Sequence, residues 1–250
     1  MTWAGRFRQY LKIAVLGLVL SSCTLRVSAQ NDTTTRLLFL ITPRLNTAGY
    51  FPFTGAMLNH NLNFDINIFY EHKGYGFFVF KSVDLQDSHS YINYLQPGIF
   101  KKFQVGPKLQ LGVFFGYLFS QTNGFHDKES DIYSALVGYW TITDRLKLEN
   151  TMLFFDLTQT EKMADRLLIS YALSGFKFDF YVWHKWVFDE SSHATSLSLG
   201  ITAPSIKVTK ALEIRSTISY MGYISEEKPS FALPGGFLFT VAFPLTMSSH

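Results

Sequence analysis

Cysteine is almost absent. Cys23 is the only one in 250 residues, which excludes a disulfide scaffold and any cysteine-based zinc module. Charge is scarce as well: charged residues make up 16% of the chain, against ~25% in an average soluble domain. The formal charge of +3 falls to −1 once Arg6, Arg8, Lys12 and Arg26 of the first 29 residues are set aside. The body therefore has no basic excess with which to hold nucleic acid. Beyond residue 30 no apolar run reaches 18 residues, so helices are not expected to fix this chain in a bilayer. No linker, repeat or low-complexity tract divides residues 30–250, which read as a single domain. Aromatic residues are abundant, with 25 Phe, 13 Tyr and 4 Trp, far too many for a disordered chain.

Residues 1–29 read as a cleaved secretory signal. Arg6, Arg8 and Lys12 form a positive start, Ile13 to Leu20 an apolar run of eight, and Val27-Ser28-Ala29 a small-residue cleavage site. An apolar run that short does not span a bilayer. Leu20-Ser21-Ser22-Cys23 also has the form of a lipobox, which would lipidate Cys23. The discarded-signal reading is preferred, because a spanning body gains little from one more anchor.

In the body, hydrophobicity alternates with period two. In residues 58–71, Leu58, His60, Leu62, Phe64, Ile66, Ile68 and Tyr70 fall on one side. Asn59, Asn61, Asn63, Asp65, Asn67 and Glu71 fall on the other, and only Phe69 breaks the polar set. A helix would scatter both sets, whereas a strand sorts them onto opposite faces. The same alternation recurs at 108–120, 176–182, 196–202, 212–220 and 237–243. Less regular β-rich segments lie at 36–45, 75–84, 90–102, 130–142, 145–157 and 164–174. In 145–157 the apolar face changes side, and a bulge near Asn150–Thr151 would reconcile the two halves. The total is about twelve strands.

Long connections (46–57, 85–89, 121–129, 158–163, 189–193, 224–234) alternate with short ones (71–74, 104–107, 143–144, 174–175, and a looser 204–210). Such alternation, with strands near ten residues, fits an antiparallel up-and-down transmembrane β-barrel that has loops on one rim and tight turns on the other. Three features favour a membrane barrel over a soluble one. The polar stripes are near-continuous, the apolar sets are bulky, and aromatics gather near strand ends (Phe69-Tyr70, Tyr139-Trp140, Phe154-Phe155, Trp183, Trp186) as interfacial girdles do. With its signal, amphipathic strands and aromatic final segment Gly236 to Phe243, the chain resembles the bacterial outer-membrane β-barrel proteins. That resemblance implies a place in the outer membrane, lipid around the wall and a porin-like role. The chain departs from the pattern by running on through Pro244 to His250.

The polar faces supply the candidate functional residues. Asn59, Asn61, Asn63, Asp65 and Asn67 would line one wall of a lumen. Lys108, Gln110, Lys177, Asp179, Glu213, Arg215, Thr217 and Ser219 would line others. Such walls can orient small polar solutes in passive diffusion, or pair across the interior and fill it. Both charge signs are present, which argues against strong ion selectivity. A second reading is a non-conducting barrel whose aromatic loops, Ala48 to Phe53 and Phe231 to Pro234, dock a protein partner, unless those loops fold inward and narrow the mouth. A third, an outer-membrane hydrolase, finds only Ser191-Ser192-His193 after Asp189-Glu190, and Ser88-His89-Ser90. Neighbours in an extended chain point apart, so these make a weak triad. His126 to Asp131 reads as a solvated acidic loop, not a calcium site. No enzyme activity, cofactor or metal is expected.

Overall fold

The structure is a computed structural model, and it describes residues 37–51, 56–86, 93–120, 131–155, 157–158, 162–187, 192–226 and 235–249. The signal and Cys23, Ser88-His89-Ser90, His126 to Ser130, Asp189 to Ser191 and Phe231 to Pro234 lie outside the described residues. Its strands are β1 Leu37–Asn46, β2 Gly49–Phe51, β3 Ala56–Asn59, β4 Asn63–His72, β5 Tyr75–Asp84, β6 Asn93–Gln104, β7 Leu109–Ser120 and β8 Asp131–Thr141. They continue as β9 Leu146–Phe155, β10 Lys162–Leu173, β11 Phe176–Val187, β12 Ser192–Thr202, β13 Ile206–Lys207, β14 Glu213–Glu226, β15 Gly236–Ala242 and β16 Leu245–Ser249.

Twelve strand positions build one antiparallel wall: β1, β4 to β12, β14, and β15 continued by β16. β15 pairs with both β14 and β1, and β12 pairs with β14, so the sheet closes on itself. Closure leaves no row of backbone donors and acceptors facing the surroundings, which hydrocarbon could not satisfy. The all-β, up-and-down, twelve-stranded expectation therefore holds.

Local chemistry fixes the tight turns. Lys73-Gly74 and Ser174-Gly175 are two-residue hairpin loops with positive φ at both positions (52° and 76°, 51° and 84°). That geometry matches the twist of the flanking strands and favours glycine second. At the turns after β8 and before β14, the Thr143 and Thr209 hydroxyls accept backbone N–H bonds from Leu146 and Leu212, both at 3.0 Å, mimicking a backbone turn.

Three local expectations change. The strand expected over 58–71 is interrupted at residues 60–62, so Asn59 ends β3 in a separate two-stranded sheet with β2. The chain must turn there to leave that hairpin and enter the wall. No bulge occurs at Asn150–Thr151, and β9 keeps unbroken register with both neighbours. Leu153 and Phe155 share the face of Glu149 and Thr151 because the interior is apolar at one level and polar at another. The last wall strand does not stop at Phe243. Pro244, which has no N–H to give a ladder, marks a break, after which Leu245–Ser249 pairs with Ile41–Leu37.

Candidate functional site: the barrel interior

Burial separates the two faces of the wall. β5 buries Phe78, Phe80, Ser82 and Asp84, and β12 buries Ala194, Ser196 and Ser198. The alternate positions are large, apolar and exposed: Ile99 at 63%, Leu199 at 61%, Phe237 at 69%, with Phe115, Phe178, Ile201, Ile218 and Phe239. They meet across strands, Ile201 with Ile218 and Phe239, Leu199 with Tyr220 and Phe237. An outward apolar band is what hydrocarbon requires and water penalises; it is interrupted on β9 and β10, where outward Asn150 donates to Asp165 at 2.8 Å.

Ion pairs stand on the interior face. Arg44 Nε donates to Asp65 Oδ1 at 2.5 Å, and Asn46 Nδ2 to Asp65 Oδ2 at 2.7 Å. Asn46 in turn accepts the Thr240 hydroxyl at 2.8 Å, so one polar chain crosses β15, β1 and β4 where the barrel closes. Lys102 Nζ meets Glu71 at 2.6 Å and lies over the Phe69 and Phe100 rings. Arg166 pairs with Glu149 and reaches the Thr151 hydroxyl. Lys177 and Asp179 pair at 2.9 Å, Arg215 and Glu213 at 2.8 Å.

Of the residues singled out from sequence, Asn63, Asp65 and Asn67 share the inward side of β4. Asn63 accepts the Ser82 hydroxyl at 3.0 Å. Asn61 sits in the turn before β4 and donates to Asp84 at 2.9 Å, while Asn59 lies off the wall in β3. Lys108, in the turn after β6, donates to the Ile142 carbonyl at 3.0 Å, and Gln110 stands opposite Gln104 and Tyr139. Lys177 is in register with Thr202 and Thr202 with Thr217, the two threonine hydroxyls being 2.8 Å apart. Lys177 and Asp179 on β11 and Arg215, Glu213, Thr217 and Ser219 on β14 thus flank β12, while Asn63, Asp65 and Asn67 lie on β4, elsewhere on the wall. Arg44, Glu71, Lys102, Glu149 and Arg166 were not singled out. Glu71 stands on the polar side of the regularly alternating 58–71 but was not placed in the lumen, and the strands of Arg44, Lys102, Glu149 and Arg166 alternate less cleanly.

The remaining interior is aromatic. Phe78, Phe100, Tyr133, Ala135, Val137, Leu153 and Ala164 form a buried cluster, flanked by Phe69, Phe114, Leu118, Tyr139 and Phe155. Phe69 and Phe155 therefore turn inward and are not girdle residues. Phe100 stacks on Phe69 at 4.8 Å and on Phe114 at 5.2 Å. On the other arc, β12, β14 and β15 present hydroxyls: Ser196, Ser198, Thr202, Thr217, Ser219 and Thr240.

Of the residues considered for a hydrolase, His193 is among those described. His193 opposes Trp186 in the ladder, and its ring lies 5.5 Å from that of His184, whose Nδ1 is 2.7 Å from the Thr195 hydroxyl. Among the described residues no group of three or more His, Cys, Asp or Glu is placed to hold a metal ion.

No family model and no curated protein matches the sequence. Solved structures do. The NanC porin in its rhombohedral crystal form matches with a TM-score of 0.55 at 9% identity, over 84% of this chain and 100% of that one. The KdgM porin in complex with disordered oligogalacturonate matches with a TM-score of 0.53 at 9% identity, over 84% and 99%. At that identity the likeness is one of fold alone. The chain thus shares its fold with two porins, and its own wall closes with twelve strands.

Proposed function

We propose that this protein is a passive, porin-like channel of the bacterial outer membrane, exported by its N-terminal signal, surrounded by lipid and passing small polar solutes. One observation carries the reading: a closed wall is mostly apolar outside and bears ion pairs, amides and hydroxyls inside. That inverts the usual soluble barrel, whose apolar face points in. The porin fold of the two solved structures supports it. The inward charges replace part of a solute's hydration during passage, with no energy input. Ala48, at the start of one proposed docking loop, is fully buried in one cluster with Trp183, Met221 and Leu238 and is not itself a docking contact.

The test is single-channel conductance of refolded protein in a planar bilayer. Lys177 and Arg215, whose side chains are each 50% exposed, are replaced by glutamine one at a time. Discrete steps are expected, with ion preference moving toward cations in each variant. A silent bilayer from folded, heat-modifiable barrel would end the channel reading.

A further inference from the structure

The lipid side of the tight-turn rim carries a single charge within its strands. Lys101 follows the exposed Ile99 by two residues on β6 and therefore shares its outward face. Among the described strand residues in that half of the barrel, no other Lys, Arg, Asp or Glu stands on the outward side. Lys101 is opposite Tyr75 in the ladder. Tyr75 is the first residue after the Lys73-Gly74 turn, so the cation lies level with that turn.

Turn and strand fix the ammonium in place. Lys101 Nζ lies 3.2 Å from the centroid of the exposed Tyr75 ring and donates to the Lys73 carbonyl at 3.3 Å. Lys73 is itself exposed, and neither lysine meets a carboxylate among the described residues. The acid of this region, Glu71, is on the inward face and is taken by Lys102. His72 stands in register with Tyr75, and its Nδ1 is buried without a hydrogen-bond partner. Two cations, a phenol hydroxyl and a ring nitrogen that donates once it carries the proton thus stand together at one edge.

One row further into the wall the surface is apolar. Phe77 pairs with Ile99 in the ladder, both exposed, and Tyr70 stacks on Phe77 at 5.2 Å. Two residues along a strand span about 7 Å, comparable with the step from the phosphate of a glycerophospholipid to the start of its acyl chains. The rim of tight turns is the periplasmic one in outer-membrane barrels, where the leaflet is built of such lipids. A lone interfacial lysine favours no particular lipid. A second lysine beside it, with no acid between them, repels the cationic end of a zwitterionic headgroup and attracts an anionic one.

We propose that Lys73, Lys101, His72 and Tyr75 form a binding site for one anionic phospholipid of the periplasmic leaflet. Its phosphodiester is held by the two ammonium groups, and its acyl chains lie along Phe77 and Ile99. The site is on the outer wall, so it stands or falls independently of conduction through the lumen.

The test uses the full chain, refolded into nanodiscs of phosphatidylcholine with a minor share of phosphatidylglycerol. After heat-modifiable gel mobility has shown each barrel folded, native mass spectrometry counts the lipids retained on extraction into mild detergent. The wild type is expected to retain phosphatidylglycerol far above its share of the bilayer. Each lysine beside an anionic headgroup contributes about five-fold in partition at low salt. Lys73→Gln with Lys101→Gln should therefore lower the enrichment by about ten-fold or more, while Lys101→Arg keeps most of it. Lys210→Gln, which removes an exposed lysine elsewhere on the same rim, should leave it unchanged. Equal retention of the two lipids by the wild type, or an enrichment that survives loss of both lysines, overturns the site. An equal loss in Lys210→Gln would assign the preference to the general charge of the rim and overturns it too. Excess glycerol 3-phosphate, which has no acyl chains, should displace no lipid. Displacement by it would mean that free phosphate is what the lysines hold, and overturns the lipid assignment.

Discussion

Tyr133 covers Gly98 so closely that a Cβ on residue 98 would stand 2.6 Å from the phenolic oxygen. Tyr133 belongs to β8, faces Gly116 of β7 in the ladder, and reaches past it to β6, where its hydroxyl donates to the Pro97 carbonyl at 3.4 Å. The ring therefore runs along the wall. Phe78 meets the same glycine, with two ring carbons 2.6 Å from the position a Cβ would take. Glycine here provides space for rings, which keeps inward aromatics from projecting into the lumen. Gly98→Ala is expected to push both rings inward and to cost about 1–3 kcal/mol, as overpacking typically does. Denaturant unfolding in lipid vesicles measures it. The cost should shrink by half or more when Tyr133 and Phe78 are already alanine, and an equal cost in both backgrounds would refute the steric account.

The Arg44–Asp65 pair is asymmetric. Asp65 is 2% exposed and Arg44 26%, so the two ends differ in what remains when the partner is lost. Arg44→Leu strands a buried carboxylate whose remaining side-chain donor is Asn46. Asp65→Asn leaves a guanidinium that can turn toward the lumen. Breaking a buried pair costs about 3–5 kcal/mol, and Arg44→Leu is expected near that range with Asp65→Asn well below it. The double variant Arg44→Leu with Asp65→Leu should recover much of the loss. Vesicle-based unfolding of the three proteins decides, and equal losses from the two single changes would contradict the asymmetry.

The wall was legible in the sequence because alternation is local. Each strand reports its own two faces, and lysine-glycine or serine-glycine punctuates the turns. What lay inside was less so. Phe69 and Phe155 occupy inward positions by parity, yet their apolar character suggested the lipid side. Only the ladder shows Phe69 stacking on Phe100, two strands away. The ion pairs joining different strands, such as Lys102 with Glu71, follow from register between segments, which the alternation of a single segment does not contain. The same limit applies to Met57. Nothing in Ala56-Met57-Leu58-Asn59 distinguishes a residue continuing the next strand from one buried in a cluster with Ala48, Trp183, Met221 and Leu238.

The continuation past Phe243 has a consequence for assembly. β15 meets β1 only at Arg44 to Asn46, and the other half of β1 is paired by β16, Leu37 with Ser249 through Ile41 with Leu245. A chain ending at Phe243 would leave that half of β1 unpaired on one side. Unsatisfied backbone groups in hydrocarbon cost several kcal/mol each, so the truncated chain is expected to fold poorly. The yield of heat-modifiable barrel in vesicles should fall sharply relative to full length. A yield equal to that of the full chain would show that the aromatic segment alone suffices to close the seam.

Ile99 tests where the bilayer lies. It is the seventh of twelve residues in β6, faces outward at 63% exposure, and stands between Phe77 and Phe115 on the neighbouring strands. Val105, in the turn that follows, is about as exposed at 56% but lies beyond the strand. In water the two positions would tolerate arginine alike, since each is open. In a bilayer they differ by depth: arginine on the lipid face costs about 2–4 kcal/mol at the midplane and about 0–1 near the interface. Ile99→Arg is therefore expected to lower folding stability in vesicles by a few kcal/mol, and Val105→Arg to leave it nearly unchanged. Equal tolerance at both positions would mean that the apolar band faces something other than hydrocarbon.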